Sequence, residues 1–240
     1  MNHITSLAPT SYTQELARIF APHANSERAP AMAAYMRNHF AFFGIMSGPR
    51  TALTKEFIRQ HGHPGPDILP KVVQTLWQYP EREFQYAACE LLIAASKTGA
   101  PDLLPLVEHC ITHKSWWDTV DTLAPRVAGA IFAKHPKEVQ EVVDAWIHSP
   151  NFWLNRSAII LQLSYKQRTD LALLERAIVP HLSSKEFFIQ KAIGWALRQY
   201  SYVNAPWVVE FVHTHPLAPL STREALKALR RQAERAYRTC

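Results

Sequence analysis

The amino-acid sequence predicts an all-α protein, and three observations support this prediction. The chain has seven glycines in 240 residues. Runs that alternate between apolar and polar residues, as strands require, are almost absent. Long segments instead carry apolar residues at helical spacing, as in Val139, Val142, Val143 and Trp146. We therefore expect amphipathic helices that each bury one face, with no sheet.

The predicted helices form two groups along the chain. Less regular helices are expected at roughly residues 11–22, 27–40 and 48–60, within an N-terminal region of about residues 1–60. Regular repeats are expected from about residue 68 to residue 238. No linker rich in glycine and serine separates the two regions. Residues 1–240 are therefore predicted to form a single domain.

Candidate helix N-caps reveal the repeat. The candidates are Ser115 with Asp118, Ser149 before Pro150, Ser183 with Glu186, and Ser221 with Glu224. Successive cap serines are 34, 34 and 38 residues apart. A period in this range, with two helices in each unit, is typical of α-solenoids of HEAT, armadillo or tetratricopeptide character. The prediction is at least ten helices stacked as antiparallel pairs, forming one curved groove.

Polar side chains recur six or seven positions after these caps. They are Asp121, Asn155, Arg156 and Gln190. Because equivalent positions of stacked helices form a row, we expect Asp121, either Asn155 or Arg156, and Gln190 to line one polar track on the concave surface. A track that mixes a carboxylate, a guanidinium and amides is more than a solvated face requires. It favours a groove that binds a ligand.

The segment from Lys114 to Asp121 carries the strongest chemical signal. It places two tryptophans and two aspartates within two turns of one predicted helix. Asp118 is expected to take part in the cap with Ser115. Asp121 has no capping role and lies four residues after Trp117, on the same helix face. An indole beside an available carboxylate is typical of a site for a cationic substrate.

Most tryptophans in a helical protein pack in its core. Trp77, Trp116, Trp146 and Trp153 are expected to be packing residues. Trp195 follows Gly194 inside a predicted helix. Because a helical glycine costs about 1 kcal/mol relative to alanine, Gly194 needs a packing or close-approach reason. Spacing alone favours a core position for Trp195.

Net charge favours a polyanionic partner. The formal charge is +6 and the pI is near 9.3. A basic stripe recurs at helical spacing near the C-terminus, in Arg223, Lys227, Arg230, Arg231, Arg235 and Arg238. A solvated helix face explains this stripe as well as a phosphate-contacting one does.

Several functional classes are disfavoured. No apolar run approaches the roughly 20 residues that span a bilayer, and the N-terminus resembles no signal peptide, so we expect a cytoplasmic protein without membrane contact. Three cysteines without CxxC spacing support neither a disulfide framework nor a zinc site. His109 and His113 lie one turn apart beside Cys110 but have no further ligand nearby in sequence. Motifs of nucleotide-driven, nicotinamide-dependent and serine-hydrolase chemistry are absent, so neither metal nor cofactor is expected.

Five stretches of the chain resemble a known family. They are residues 32–40, 43–45, 79–85, 114–121 and 183–195. With these stretches the chain is similar to the bacterial DNA alkylation repair family of HEAT-like alkylpurine DNA glycosylases, the AlkD type. The resemblance runs from about residue 25 to Ser221. It implies a basic groove that binds duplex DNA and cleaves the N-glycosidic bond of N3- and N7-alkylated purines.

The resemblance also assigns residues. Asp121 matches the catalytic aspartate, and Trp117 and Trp195 match the two cleft tryptophans. Contacts with DNA are implied for Tyr35, Ser47, Lys55 and Arg156, of which Arg156 would hold the backbone near the lesion. Two positions depart from the family pattern, since Met46 replaces a glutamine and Ser164 replaces a lysine. We expect a monomer that acts on double-stranded DNA.

Two other classes of function stay open. The first is a DNA-binding solenoid without catalytic activity, and the presence of Asp121 with both tryptophans speaks against it. The second is a scaffold for protein interactions, which is the usual function of α-solenoids. A scaffold does not need the basic stripe near the C-terminus.

Overall fold

The computed structural model describes residues 4–238, without the side chains of residue 233 and residues 235–238. Throughout this part of the chain the regular elements are helices. Strand-like pairing is limited there to two isolated bridges, Ile4 with His63 and Ala41 with Glu81. The prediction of an all-α fold is confirmed. The described helices include none with the length and apolar character needed to cross a membrane.

The described residues divide into two compact units, one ending at Ala95 and one beginning at Ser96. The first unit contains five helices among its described residues: α1 Pro9–Phe20, α2 Ala29–Tyr35, α3 Ser47–His61, α4 Leu69–Gln78 and α5 Arg82–Ala95. All three predicted N-terminal helices are present. Helix α2 ends earlier than expected because Arg37 and Asn38 adopt positive φ angles of 54° and 57°. That the whole chain behaves as one domain stays a prediction.

The core of the first unit is aromatic. Tyr12 and Phe20 on α1 are fully buried. The Tyr12 ring meets Phe57 of α3 at a centroid distance of 4.7 Å, and the Phe20 ring meets Phe84 of α5 at 5.5 Å. Burying aromatic rings of this size contributes several kcal/mol in total to the stability of the unit. These contacts hold α1, α3 and α5 together.

The loop that leads into α3 is fixed by a buried carboxylate. Glu83 of α5 is fully buried, and its oxygens accept hydrogen bonds from the backbone N–H groups of Phe43, Gly44 and Ile45 at 3.0–3.1 Å. Gly44 has a φ of 88°, a conformation that favours glycine. This anchoring determines where α3 begins, and so where Met46 and Ser47 lie.

The second unit continues the helical pattern. Its helices are α6 Leu104–Thr112, α7 Trp117–Leu123, α8 Gly129–Phe132, α9 Gln140–Ile147, α10 Phe152–Ile160, α11 Leu171–Ile178, α12 Phe187–Ser201, α13 Ala205–Thr214, α14 Pro219–Ala225 and α15 Lys227–Arg238. A π-helical segment, Ala124–Ala128, connects α7 to α8. Helix α10 packs against α7, α9 and α12. It is therefore central to the unit.

The repeat is confirmed, but the predicted caps are wrong. Helices α5, α7, α10 and α12 begin 35 residues apart, the same separation that divides Asp121 from Arg156. The observed N-cap residues are Trp116, which makes no side-chain cap, Asn151 and Glu186. The expected caps at Ser115, Ser149 and Ser183 thus lie one to three residues too early.

Two of the predicted cap residues, Ser149 and Ser221, have other structural roles. Ser149 Oγ accepts the Asn151 N–H, and Ser184 Oγ, next to the predicted cap residue Ser183, accepts the Glu186 N–H. These bonds form the turns that precede α10 and α12. Pro150 lies in the first of these turns rather than at the first helical position. Ser221 lies inside α14 and donates to the Gln190 carbonyl of α12 at 2.9 Å. Serine is favoured in turns as well as at caps, so the sequence pattern did not separate the two.

The expected polar track is also corrected in part. Asn155 is buried, and its Nδ2 donates to the carbonyls of Trp146, Ile147 and Ser149 at 2.9–3.0 Å. Gln190 Nε2 donates to the Ser184 carbonyl at 2.9 Å. These amides satisfy carbonyls at the end of the preceding helix or in the turn after it. Asn155 is therefore structural, and the prediction that it lines a ligand track is wrong. Gln190 is half-buried, and its place on such a track stays a prediction.

Candidate active site

Asp121 of α7 and Arg156 of α10 form a bidentate ion pair. Arg156 Nε donates to Asp121 Oδ1 and Arg156 Nη2 donates to Oδ2, both at 2.8 Å. The Arg156 side chain is 5% exposed and that of Asp121 is 19% exposed. A fork geometry of this kind fixes the plane of the carboxylate as well as its position. Asp121 is thus held rigidly while part of it stays accessible to solvent.

Arg156 also connects this pair to α12. Its Nη1 donates to the Phe188 carbonyl at 2.5 Å, in the first turn of that helix. The guanidinium carbon lies 5.9 Å from the centre of the Phe188 ring. One side chain therefore joins α7, α10 and α12. Contact between Arg156 and a DNA phosphate stays a prediction; the contacts recorded in the structure are with Asp121 and Phe188.

An aromatic cluster surrounds the Phe188 end of this network. Trp153 lies 4.9 Å from the Phe188 ring, 4.7 Å from Phe152 and 6.0 Å from Trp116, measured between centroids. Trp116 meets Phe188 edge to face at 5.2 Å. Such a cluster excludes water, which strengthens the electrostatic interactions beside it.

The pKa of Asp121 lies above its usual range. Burial is the main cause, because it disfavours the charged carboxylate, and the charge of Asp118 acts in the same direction. The hydrogen bonds and positive charge of Arg156 oppose this rise. Asp121 is therefore an acid whose ionisation depends on its arginine partner. Asp118 itself lies in the first turn of α7.

The helix widens directly after Asp121. Pro125 has no N–H to donate to the Asp121 carbonyl four residues earlier. The chain adopts π-helical geometry over Ala124–Ala128 before it resumes as α8. π-helical turns occur frequently at functional sites. Pro125 is the signal in the sequence from which this change of helix geometry could have been predicted.

The two candidate cleft tryptophans are both partly exposed. Trp117 is the first residue of α7, one turn before Asp121. Trp195 lies in the middle of α12, seven residues after Phe188. In contrast, Trp77, Trp146 and Trp153 are buried, which confirms that they are core residues. The spacing argument that favoured a core position for Trp195 is not supported by its partial exposure.

The remaining candidate residues belong to the first unit. Tyr35, at the end of α2, is 71% exposed, and Met46, just before α3, is 51% exposed. Both line a cleft of about 370 Å³ with Met32, Phe42 and Tyr86 among its other walls. Ser47 and Lys55 of α3 are exposed. These residues are accessible, as contacts with a large ligand require.

The basic stripe is described in part. Arg223, Lys227, Arg230 and Arg231 are exposed. Arg235 and Arg238 lie outside the described side chains. His109 and His113 stack at 4.1 Å, and burial lowers the pKa of His109. Among the described residues, no three His, Cys, Asp or Glu side chains are arranged to hold a metal ion.

Comparison with known proteins identifies the family. A family model described as DNA alkylation repair enzyme matches residues 16–229. The chain therefore belongs to the DNA alkylation repair enzyme family. A solved structure from Enterococcus faecalis, described as a predicted DNA alkylation repair enzyme, is 35% identical and has a TM-score of 0.79; the match covers 85% of this chain and 95% of that one. No curated protein matches the chain.

Proposed function

We propose that this member of the family is a DNA glycosylase that excises N3- and N7-alkylated purines from duplex DNA as a step of base excision repair. The observation that carries the proposal is the carboxylate of Asp121, held in bidentate fashion by Arg156 and partly open to solvent. A carboxylate fixed in this way is suited to stabilise a positive charge that develops in a transition state. Membership of a DNA alkylation repair family makes a damaged nucleotide the natural source of that charge.

The chemistry explains why one carboxylate suffices. Alkylation at N3 or N7 makes a purine cationic, so the base leaves as a neutral molecule when it takes the electron pair of the C1′–N bond. No acid is needed to protonate the leaving group. The deoxyribose is left as an oxocarbenium-like centre at C1′. A water molecule then forms a bond to C1′ and loses a proton, which leaves an abasic site and the free base.

Asp121 is assigned two roles in this reaction. Its negative charge stabilises the oxocarbenium-like sugar, and its free lone pairs orient the water and accept its proton. Arg156 keeps the carboxylate ionised and fixes its direction. The indole faces of Trp117 and Trp195 add cation–π stabilisation of roughly 0.5–2 kcal/mol each. These four residues act through the sugar, so the base need not enter a deep pocket.

DNA binding is assigned to exposed residues of the first unit and to basic side chains. Tyr35, Ser47 and Lys55 would contact the duplex, and so would Arg156 and the exposed cations of the basic stripe near the C-terminus. If such cations neutralise phosphates, the logarithm of the binding constant falls with the logarithm of salt concentration with a slope of about −0.9 per phosphate. A monomer is the expected active form. Affinity that does not change with salt would contradict this model of binding.

The direct test is excision from a duplex that carries one N7-methylguanine. The full chain should release the free base under single-turnover conditions. Asp121→Asn preserves the shape of the side chain but removes its charge, so release should slow by roughly 10²-fold or more while DNA affinity stays the same or rises. Some release should remain, because the cationic purine is already a good leaving group.

Asp118→Asn is the matched control. It removes an equal charge from the same helix, three residues away. Excision should change far less than in Asp121→Asn. Equal losses in the two variants, or losses that only follow the fraction of folded protein, would exclude a catalytic role for Asp121. DNA binding without release of base by the unmodified chain would favour the alternative of a non-catalytic DNA-binding protein.

A further inference from the structure

Helix α14 approaches α12 unusually closely at Gly194. A Cβ atom placed on Gly194 would lie 2.5 Å from Glu224 Cβ and 2.9 Å from the Ser221 carbonyl oxygen. Real side chains do not tolerate such distances, so any other residue would push the helices apart. The close approach is the packing reason that a glycine inside α12 requires. It brings Glu224 directly against the turn of α12 that carries Trp195.

Glu224 is a buried acid that binds two cations of α12. Lys191 Nζ lies 3.0 Å from Glu224 Oε1, and Arg198 Nη1 donates to Oε2. The Glu224 side chain is 10% exposed. Burial raises the pKa of Glu224, but Lys191 and Arg198 lower it more strongly, so the carboxyl has a pKa below its usual range. One carboxylate thus carries a fixed negative charge between two positive ones.

The two cations lie on either side of Trp195. Lys191 precedes it by four residues and Arg198 follows it by three, so all three share one side of the helix. The same helix carries Phe188, whose carbonyl binds Arg156. A line of direct contacts therefore runs from Glu224 through α12 and Arg156 to Asp121. Movement of α12 would disturb both Trp195 and the arginine that holds the carboxylate.

We propose that Glu224 is a positioning residue of the candidate active site: it clamps α12 through Lys191 and Arg198, and so fixes the orientation of Trp195. The inference rests on the proposed function, in which Trp195 faces the cationic sugar. Glu224 does not contact substrate in this proposal. It acts through the helix that carries the tryptophan.

Removing the charge of Glu224 should change both the rate of excision and the affinity for DNA, in a way that a simple loss of stability would not. Removing it breaks the clamp, which should lower the rate of excision. It also frees two cations and raises the net charge, which should strengthen binding to DNA and steepen its salt dependence. Loss of folded protein would instead lower the rate and the apparent affinity together. A slower reaction with tighter binding separates the two explanations.

The positioning role can be measured without any excision. The full chain is labelled with 5-fluorotryptophan, and the ¹⁹F resonance of Trp195 is assigned by its loss in Trp195→Phe. In Glu224→Gln this resonance should shift or broaden, while that of Trp77 in the first unit stays unchanged. A Trp195 resonance that does not move in folded Glu224→Gln overturns the proposal. If that variant does not fold, Lys191→Met breaks one arm of the clamp and should give a smaller shift.

The matched control is Asp144→Asn. It removes an interhelical ion pair of the same unit, between Asp144 of α9 and Arg176 of α11, which does not involve α12. The Trp195 resonance should be unaffected there, and an equal shift would overturn the proposal. Excision of N7-methylguanine should slow by about tenfold in Glu224→Gln, as for a displaced catalytic group. If the Trp195 resonance shifts in Glu224→Gln but the unmodified chain releases no base, the proposed function is wrong and the positioning role of Glu224 still holds.

Discussion

Helix α5 of the first unit and α10 of the second share one structural device and differ in the residue beside it. Gln85 Nε2 donates to the carbonyls of Leu76 and Tyr79 at 3.0 Å, and Asn155 makes the equivalent bonds at the end of α9. The next residue is Tyr86 in α5 and Arg156 in α10. Tyr86 stacks on Arg50 at 4.3 Å, whereas Arg156 holds Asp121.

The comparison shows that neighbouring positions of a repeat can have different roles. The amide at this position bonds carbonyls in the turn before α5, α10 and α12, whereas the equivalent position of α7 is the buried Val120. The following position lies about 100° further around the helix and is free to vary. In α10 the residue at this position, Arg156, binds the Asp121 carboxylate. The row that contains the candidate catalytic residue Asp121 and its partner Arg156 is thus adjacent to the row that contains these amides.

The largest effect on stability should come from a substitution of Arg156, which holds the Asp121 carboxylate. Arg156→Met leaves the Asp121 carboxylate buried without its partner and should lower the free energy of unfolding by about 3–5 kcal/mol at neutral pH. Tyr86→Leu in α5 should cost less, since it removes a cation–π contact and part of an aromatic ring. Urea unfolding of both variants measures the difference.

The loss in Arg156→Met should shrink as the pH falls. Without the guanidinium the pKa of Asp121 rises further, so the buried group becomes neutral at mildly acidic pH and its burial costs less. A loss that is independent of pH would contradict the view that the unpaired charge is its cause.

The amide row should give smaller and equal effects in the two units. Asn155→Leu and Gln85→Leu each leave backbone carbonyls without a buried donor, at a cost of about 1–3 kcal/mol. Because the hydrogen bonds correspond, the two losses should agree within about 1 kcal/mol. Urea midpoints with unchanged slopes would measure this. If only one of the two substitutions lowers stability, the two amides do not have equivalent roles.

The corrected caps predict an effect of about 1 kcal/mol. Asn151 accepts the Trp153 N–H at 3.0 Å, so Asn151→Ala should lower stability by that amount. Ser115→Ala should change stability by less than about 0.5 kcal/mol, because Ser115 is not the N-cap residue of α7. Thermal unfolding of the pair distinguishes the observed caps from the expected ones. A larger loss for Ser115→Ala would restore the original assignment.

The smallest effect concerns acidity. If the proposed reaction needs ionised Asp121, excision should fall at acid pH around a value above the ordinary pKa of an aspartate, because the pKa of Asp121 is raised. Asp118→Asn removes a charge that raises this pKa, and should move the acid limb of the rate profile to lower pH. A profile that is unchanged by Asp118→Asn would show that the two carboxylates do not interact.

The sequence predicted the helical class and the period because both depend on local patterns. Apolar spacing identified the helices, and a recurrence near 34 residues lies close to the observed 35. The exact caps were missed because serine stabilises turns as well as helix starts. The role of Asn155 was missed because a buried amide and a surface amide look alike in sequence.

The candidate site was predicted in part. Asp121 and Trp117 follow from spacing within one helix, which a sequence displays directly. The pairing of Asp121 with Arg156 depends on the packing of two helices, and the resemblance assigned Arg156 a different contact. Phe188 contributes through its backbone carbonyl. Glu224 was predicted as the cap partner of Ser221, whereas it binds Lys191 and Arg198 of α12. Such contacts between helices leave no periodic signal.

Gly194 has a consequence for how this protein can change over time. Every amino acid other than glycine carries a Cβ, and at this position a Cβ meets the backbone of α14. No amino-acid substitution at Gly194 is therefore silent in structure. Gly48, on α3, has open space around it, so it can mutate freely by comparison. Across related chains, substitutions should accumulate at the position of Gly48 and stay rare at that of Gly194.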